Sequence, residues 1–219
     1  MTNPKLLIIG AGMAGLSAGC YAQMNGFDSE IFELHSLPGG LCTSWRRRDY
    51  TFDASVRYLS GTSPQSSTHQ LWEELGLFDA STPIYTYDRF MRFEGRDGRA
   101  FTLYTDLDRL QEHMLELSPH DEDTIHEFIA AAKQFRQMEL PVDMTPATPL
   151  ESMELGQTML PVLWPALRWR SVSVHQFASR FTDPLLREGL PEFFQFSSPD
   201  FPMMLVLSTL AMLHDHEAG

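Results

Sequence analysis

Six residues near the start of the chain have types and spacings suited to holding a dinucleotide. Gly10, Gly12 and Gly15 sit in the run Gly-Ala-Gly-Met-Ala-Gly, Glu33 follows, and the pair Gly39-Gly40 comes soon after. Glycine at 10 lets the chain turn sharply, the missing Cβ at 12 admits a pyrophosphate, and glycine at 15 permits close helix–strand packing. Glu33 stands near the ~20-residue spacing expected of an acid that binds ribose hydroxyls, and its charge disfavours the 2′-phosphate of NADP. The predicted cofactor contacts are Gly10, Ala11, Gly12, Met13, Ala14, Gly15, Glu33, Leu34, Gly39, Gly40 and Leu41. A glycine-rich turn that binds nothing is the alternative, but the acid and the second glycine pair point to FAD.

No residue is assigned as catalytic. Eight histidines are scattered, and the best metal-like spacing, His214-x-His216 beside Asp215 and Glu217, reads as a polar helix end rather than a zinc site, so no metal is assigned. No G-x-S-x-G elbow supports a hydrolase. The absence of a protein nucleophile suits a flavin enzyme, in which the cofactor does the hard step.

The elements that must position these residues follow from periodicity. Lys5–Ile9 reads as strand one. A helix starts near Met13, with Leu16, Cys20 and Met24 on one buried face and Gly26 ending it. Phe27–Leu34 reads as strand two, with Glu33 near its end. Arg46-Arg47-Arg48 is either a phosphate neighbour or a solvated turn. Tyr50–Asp53 is a further strand, and a helix near Thr68 carries Leu71, Leu75 and Leu77 and stops around Gly76. From Pro83 a second unit begins: a strand over 84–93, an Asp97-Gly98 hairpin and a return strand with Phe101 and Leu103. Asp106 caps a helix with Leu107, Leu110, Met114 and Leu117 inward. Pro119 opens another, with Ile125, Phe128, Ile129, Ala132 and Phe135 inward. Residues 139–150, with Pro141, Pro146 and Pro149, read as an irregular loop. Beyond them Trp164, Trp169, Phe177, Phe181, Phe193, Phe194 and Phe196 suit core packing, with a greasy pocket as the alternative. The expected fold is α/β. A Rossmann-like FAD-binding domain over 1–82 precedes an α+β substrate-domain portion over 83–219.

Composition narrows the partners. The net charge of −13 argues against nucleic acid and against electrostatic attachment to anionic lipid. Cys20 reads as a small core residue and Cys42 has no partner spaced for redox chemistry, a pattern fitting a reducing, cytoplasmic compartment. Met1-Thr2-Asn3-Pro4 leads directly into strand one, without a signal peptide. The apolar run from Phe201 to Leu213 falls short of the ~20 residues that span a bilayer.

Taken together, Gly10-x-Gly12-x-x-Gly15-Leu16, Glu33, Pro38-Gly39-Gly40, Cys42-Thr43-Ser44-Trp45 and Phe52-Asp53 resemble the phytoene desaturase and carotenoid isomerase group of FAD-dependent oxidoreductases. The amine oxidases are more distant relatives. The likeness is specific over 5–60, looser over 84–138 and weak beyond 150. It implies a glutathione-reductase-type FAD fold and desaturation or isomerisation of a hydrophobic polyene such as a carotenoid or retinoid. It also implies a peripheral membrane contact. Asp49 and Ser55 stand where the group commonly has glycine. The group's members are roughly twice as long, so an incomplete C-terminus is expected, with a missing half or partner chain and an open sheet edge that favours association. The competing readings are an amine-oxidase-like flavoenzyme and a non-catalytic nucleotide-binding fragment.

Overall fold

The computed structural model describes residues 3–53, 56, 58–79, 81–136, 148–194 and 200–215. The chain divides into two compact units, Met1–Leu59 with Gln70–Thr82 and Ser60–His69 with Pro83–Gly219.

In the first unit β1 (Lys5–Ile9) and β2 (Asp28–Phe32) pair in parallel, Ile8 opposite Ile31 and Ile9 opposite Phe32. Parallel strands need a crossover, and α1 (Met13–Met24) supplies it, giving the βαβ order of an α/β fold. β2 is shorter than the expected 27–34. Phe27 belongs to the end of α1, where its N–H donates to Ala22 O at 2.9 Å while Gly26, at φ +81°, donates to Gln23 O at 3.0 Å. These two bonds satisfy the last carbonyls of the helix.

The face of α1 that packs is not the expected one. Cys20 and Met24 are exposed and Leu16 only half-buried, whereas Gly19 and Ala22 are buried. The cause is steric. A Cβ on Gly15 would stand 2.0 Å from Gly10 O, and one on Gly19 would stand 2.9 Å from Ile31 Cδ1. Only the small-residue face can approach the sheet this closely, so the larger side chains turn outward.

After a single 3₁₀ turn at Gly40–Cys42, β3 (Ser44–Arg47) and β4 (Tyr50–Asp53) form a hairpin in which Trp45 stacks on Phe52 at 5.7 Å. Arg48 occupies its turn at φ +55°. α2 (His69–Glu74) ends as α1 does: Gly76, at φ +67°, donates to Glu73 O and Leu77 to Trp72 O, each at 2.9 Å. Ser55 lies outside the described residues.

The second unit opens with β5 (Arg89–Glu94), which starts later than the expected residue 84, and β6 (Ala100–Tyr104). The Asp97-Gly98 turn joins them, Gly98 at φ +81° and Gly95 N–H donating to Arg99 O at 2.9 Å. α3 (Leu107–Leu117) is capped by Asp106, whose carboxylate accepts the Arg109 N–H at 2.8 Å. α4 (Glu122–Phe135) follows a 3₁₀ turn at Pro119–Asp121. The predicted stripes are the core. Leu107, Leu110 and Met114 pack with Ile125, Phe128, Ile129, Ala132 and Phe135, over Phe101 and Leu103. Leu117 is partly buried against them.

Of the loop expected over 139–150, residues 139–147 lie outside the described residues, Thr148 is a helix cap, and Pro149 and Leu150 are already helical. α5 (Pro149–Trp169) starts from a reciprocal cap: Thr148 Oγ1 accepts the Glu151 N–H at 3.2 Å and the Glu151 carboxylate accepts the Thr148 N–H at 3.0 Å. Pro149 thus fills the first helical position, where its missing N–H costs nothing. α6 (Val174–Ala178), α7 (Pro184–Phe194) and α8 (Met203–His214) complete the unit. Trp169, Phe177, Phe181, Phe193 and Phe194 are buried, and Phe177 meets Phe128 and Trp169 at 5.7 and 5.6 Å, so these rings fill the core. Trp164 departs from the expectation and is 75% exposed. Phe196 lies outside the described residues. Among the described residues no helix is long and apolar enough to cross a membrane.

Candidate nucleotide site

The end of β1 turns at Gly10, whose φ of +98° is open to glycine and whose N–H donates to Phe32 O at 2.7 Å. This bond carries the β1–β2 pairing into the loop. Gly12 then stands at the N-cap of α1 without a side-chain cap, and the first turn has no acidic residue. The N–H groups and positive end of the helix are therefore left for an external anion. Space is available: a Cβ placed on Gly12 meets nothing within 4 Å.

The second glycine pair packs directly on this loop. Gly39 N–H donates to Ala11 O at 2.7 Å, and Gly12 and Gly39 form a parallel bridge. Gly39 and Gly40 have φ of +114° and +60°, and a Cβ on Gly40 would lie 3.1 Å from Gly12 Cα. The structure thus joins Gly10, Ala11, Gly12, Gly39 and Gly40 in one patch of bare backbone. Met13, Ala14 and Gly15 follow as the first turn of α1, and the exposed Leu34 and Leu41 border the patch along the chain.

Glu33 connects the parts. Its Oε2 accepts the Ala11 N–H at 2.7 Å and its Oε1 accepts the His35 N–H at 2.8 Å. The His35 and Ala11 backbone donors hold its carboxyl below the usual glutamate range, so it is ionised at neutral pH. An ionised carboxylate has about four acceptor positions, so these two bonds leave capacity for ribose hydroxyls. The bond from Glu33 to the loop was missed by sequence reasoning. The spacing assigned the acid outward to a sugar, and only the turn at Gly10 shows that Ala11 also falls within its reach.

Other candidates fall elsewhere. Arg46, Arg47 and Arg48 are exposed on β3 and its turn, and Cys42 is exposed in the 3₁₀ turn. His214 Nδ1 accepts the Leu107 N–H at 3.1 Å and so helps to cap α3. Among the described residues no group of three or more His, Cys, Asp or Glu could hold a metal. His216 and Glu217 lie outside them.

Residues 8–75 match the NAD(P)-binding Rossmann-like domain family. The chain is 29% identical over 118 residues to a neurosporene-forming phytoene desaturase of Cereibacter sphaeroides, covering 53% of this chain and 22% of that protein. It is 24% identical over 201 residues to a lycopene-forming phytoene desaturase of Pseudescherichia vulneris, covering 89% of this chain and 38% of the relative. A chloroplastic prolycopene isomerase of an Oncidium hybrid is 21% identical over 56% of the chain and 21% of its own length. The matches therefore span between about a fifth and two fifths of these relatives. The chain thus carries an NAD(P)-binding Rossmann-like domain over residues 8–75 and is similar, over part of their length, to phytoene desaturases and a prolycopene isomerase.

Proposed function

We propose that the first unit holds the ADP half of FAD, and that the protein oxidises or isomerises a hydrophobic polyene of the carotenoid or retinoid kind. The observation that carries this reading is the uncapped N-terminus of α1 beside an open Gly12, walled by Gly39-Gly40. The N–H groups of Met13, Ala14 and Gly15 would receive the pyrophosphate, Glu33 the ribose hydroxyls, and Leu34 and Leu41 would border the adenosine. The charge on Glu33 opposes a 2′-phosphate. When bound, FAD supplies the acceptor for an allylic hydride or, reduced, the chemistry of double-bond isomerisation.

Residues 1–82 are assigned to the cofactor and 83–219 to part of the substrate domain. The names of the relatives support a carotenoid-type substrate. The activity is assigned to the whole protein, whose substrate path a further segment or a partner chain would complete. A polyene dissolves in lipid rather than water, so the working protein would meet a membrane surface from the cytoplasmic side.

Calorimetric titration with FAD, NAD⁺ and NADP⁺ tests the cofactor assignment. FAD should bind best and NADP⁺ worst. Gly12→Val should abolish FAD binding, and Glu33→Ala should weaken it ~10-fold or more through loss of a charged acceptor. Equal FAD affinity in Gly12→Val, or a preference for NADP⁺, would overturn the assignment. FAD binding without conversion of a polyene by the full-length protein would favour the non-catalytic reading.

A further inference from the structure

Two imidazoles in the second unit accept a backbone N–H, and both do so where β6 hands the chain to α3. His113 of α3 accepts the Thr102 N–H at its Nε2, at 3.0 Å, and His214 at the end of α8 accepts the Leu107 N–H at its Nδ1, at 3.1 Å. The donors sit in residues closed off from water, Thr102 being 7% exposed and Leu107 0%. A buried N–H that loses its acceptor keeps its desolvation cost and gains nothing in return. Each ring can serve only when neutral, because a ring nitrogen accepts through a lone pair that protonation consumes.

The two rings have different surroundings. His113 lies beside Phe101 and Tyr104, with ring centres at 6.2 and 5.3 Å. Burial holds it below the usual histidine range. Of the charges on its own helix, Glu116 favours the proton and Arg109, 4.0 Å above the Tyr104 ring, opposes it. His214 meets charge instead: Asp106 Oδ2 stands 3.6 Å from its Nδ1, and Asp108 follows on the same helix start. From α4, Lys133 pairs with Asp108 and Arg136 with Asp215, the residue after His214. A proton on His214 Nδ1 therefore turns the ring from acceptor of the first α3 N–H into donor to Asp106, whose other oxygen caps the same helix.

We propose that the β6–α3 junction is a proton-operated latch, closed by neutral His113 and His214 and released when mild acid protonates both. Each step places one solvent proton on a ring lone pair and breaks one hydrogen bond from the backbone. With its folded value held low, His113 contributes fully above the unfolded value of ~6.5, and the contribution is lost as pH falls through that value toward the folded one. This range lies above that of ordinary carboxylates, so the junction opens before the acidic residues of the unit respond. The release is regional: β6 loses a bond at its edge and α3 the one at its start, while the interior of α4 keeps its own. The latch depends on neither the cofactor nor the polyene reading.

Native-state amide exchange of the 219-residue chain, followed by NMR at about pH 7.5 and about pH 5 and corrected for intrinsic exchange, tests it. Relative to Ile129 inside α4, protection of the Thr102 and Leu107 amides should fall ~10-fold or more at the lower pH, one pKa unit being a factor of ten. The double variant His113→Gln/His214→Asn puts an untitratable carbonyl oxygen near each accepting nitrogen. It should protect both amides at the higher pH and lose the extra fall at the lower, while the other histidines titrate alike in both proteins. Unchanged relative protection in the wild type, a fall at only one of the two amides, or an equal fall in the double variant would overturn the proposal. Should the double variant not fold, the wild type decides alone: each amide's loss should track the titration of its own ring, read from the Cε1–H signals, and a loss that tracks neither ring would overturn it.

Discussion

Asp121 is 4% exposed yet ionised, because its carboxylate accepts four hydrogen bonds. Thr182 N–H and Asp183 N–H donate at 2.7 and 3.1 Å, and the hydroxyls of Ser118 and Thr182 each donate at 2.8 Å. Burial pushes the carboxyl up, but these donors outweigh it and hold it below the usual aspartate range. The residue thus ties the start of α4 to the segment leading into α7. A depressed folded pKa stabilises fully above the unfolded value of ~3.9 and stops doing so as pH falls through the folded value. Asp121→Ala should therefore cost ~3 kcal/mol near neutral pH, by leaving buried donors without an acceptor. Chemical denaturation should show the gap between wild type and variant closing as the pH falls below ~4. At the nucleotide patch, the glycine types alone made Gly10, Gly12 and Gly15 legible. The close seat of Gly40 on Gly12 was not, since it depends on where the chain returns after β2.

Among the elements, α3 and α4 were legible because large apolar residues recur at helical spacing and one large face can turn inward. In α1 that rule fails. Its large residues lose the sheet to Gly15, Gly19 and Ala22, because closeness of approach outweighs side-chain size there. The start of α5 was obscured by prolines nearby, since Pro149 is equally at home in a loop and at the first helical position. The two helices offer a paired prediction. Gly156 in α5 has open space where a methyl would stand, so Gly156→Ala should raise stability by ~1 kcal/mol through helix propensity. Gly15→Ala should lower it despite the same gain, because the methyl would meet Gly10 O at 2.0 Å. Melting temperatures of the two variants should move in opposite directions.

At the scale of the whole molecule, the two units are unequally filled. The second has a continuous core in which Phe101, Leu107, Phe128 and Phe177 are fully buried. In the first, Leu7, Ile9 and Phe32 are 59%, 93% and 51% exposed, and β1 pairs with β2 alone among the described strands. Apolar burial dominates stability, so calorimetry should resolve two transitions, the lower belonging to the first unit. FAD binds the folded form of that unit under the proposed assignment, so saturating FAD should raise the lower transition and leave the upper one in place. A single transition, or a shift of the upper one alone, would contradict this division.

The bond from Ala11 N–H to Glu33 also bears on redesign. In a dinucleotide fold, exchanging the ribose-binding acid is the obvious route toward accepting a 2′-phosphate. In this chain the same side chain fastens the glycine loop from within. An arginine or serine introduced at position 33 would remove the repulsion and unfasten the loop in one stroke. Altered nucleotide preference would therefore require a compensating acceptor for the Ala11 N–H, which makes Glu33 a position tied at once to ligand choice and to backbone shape.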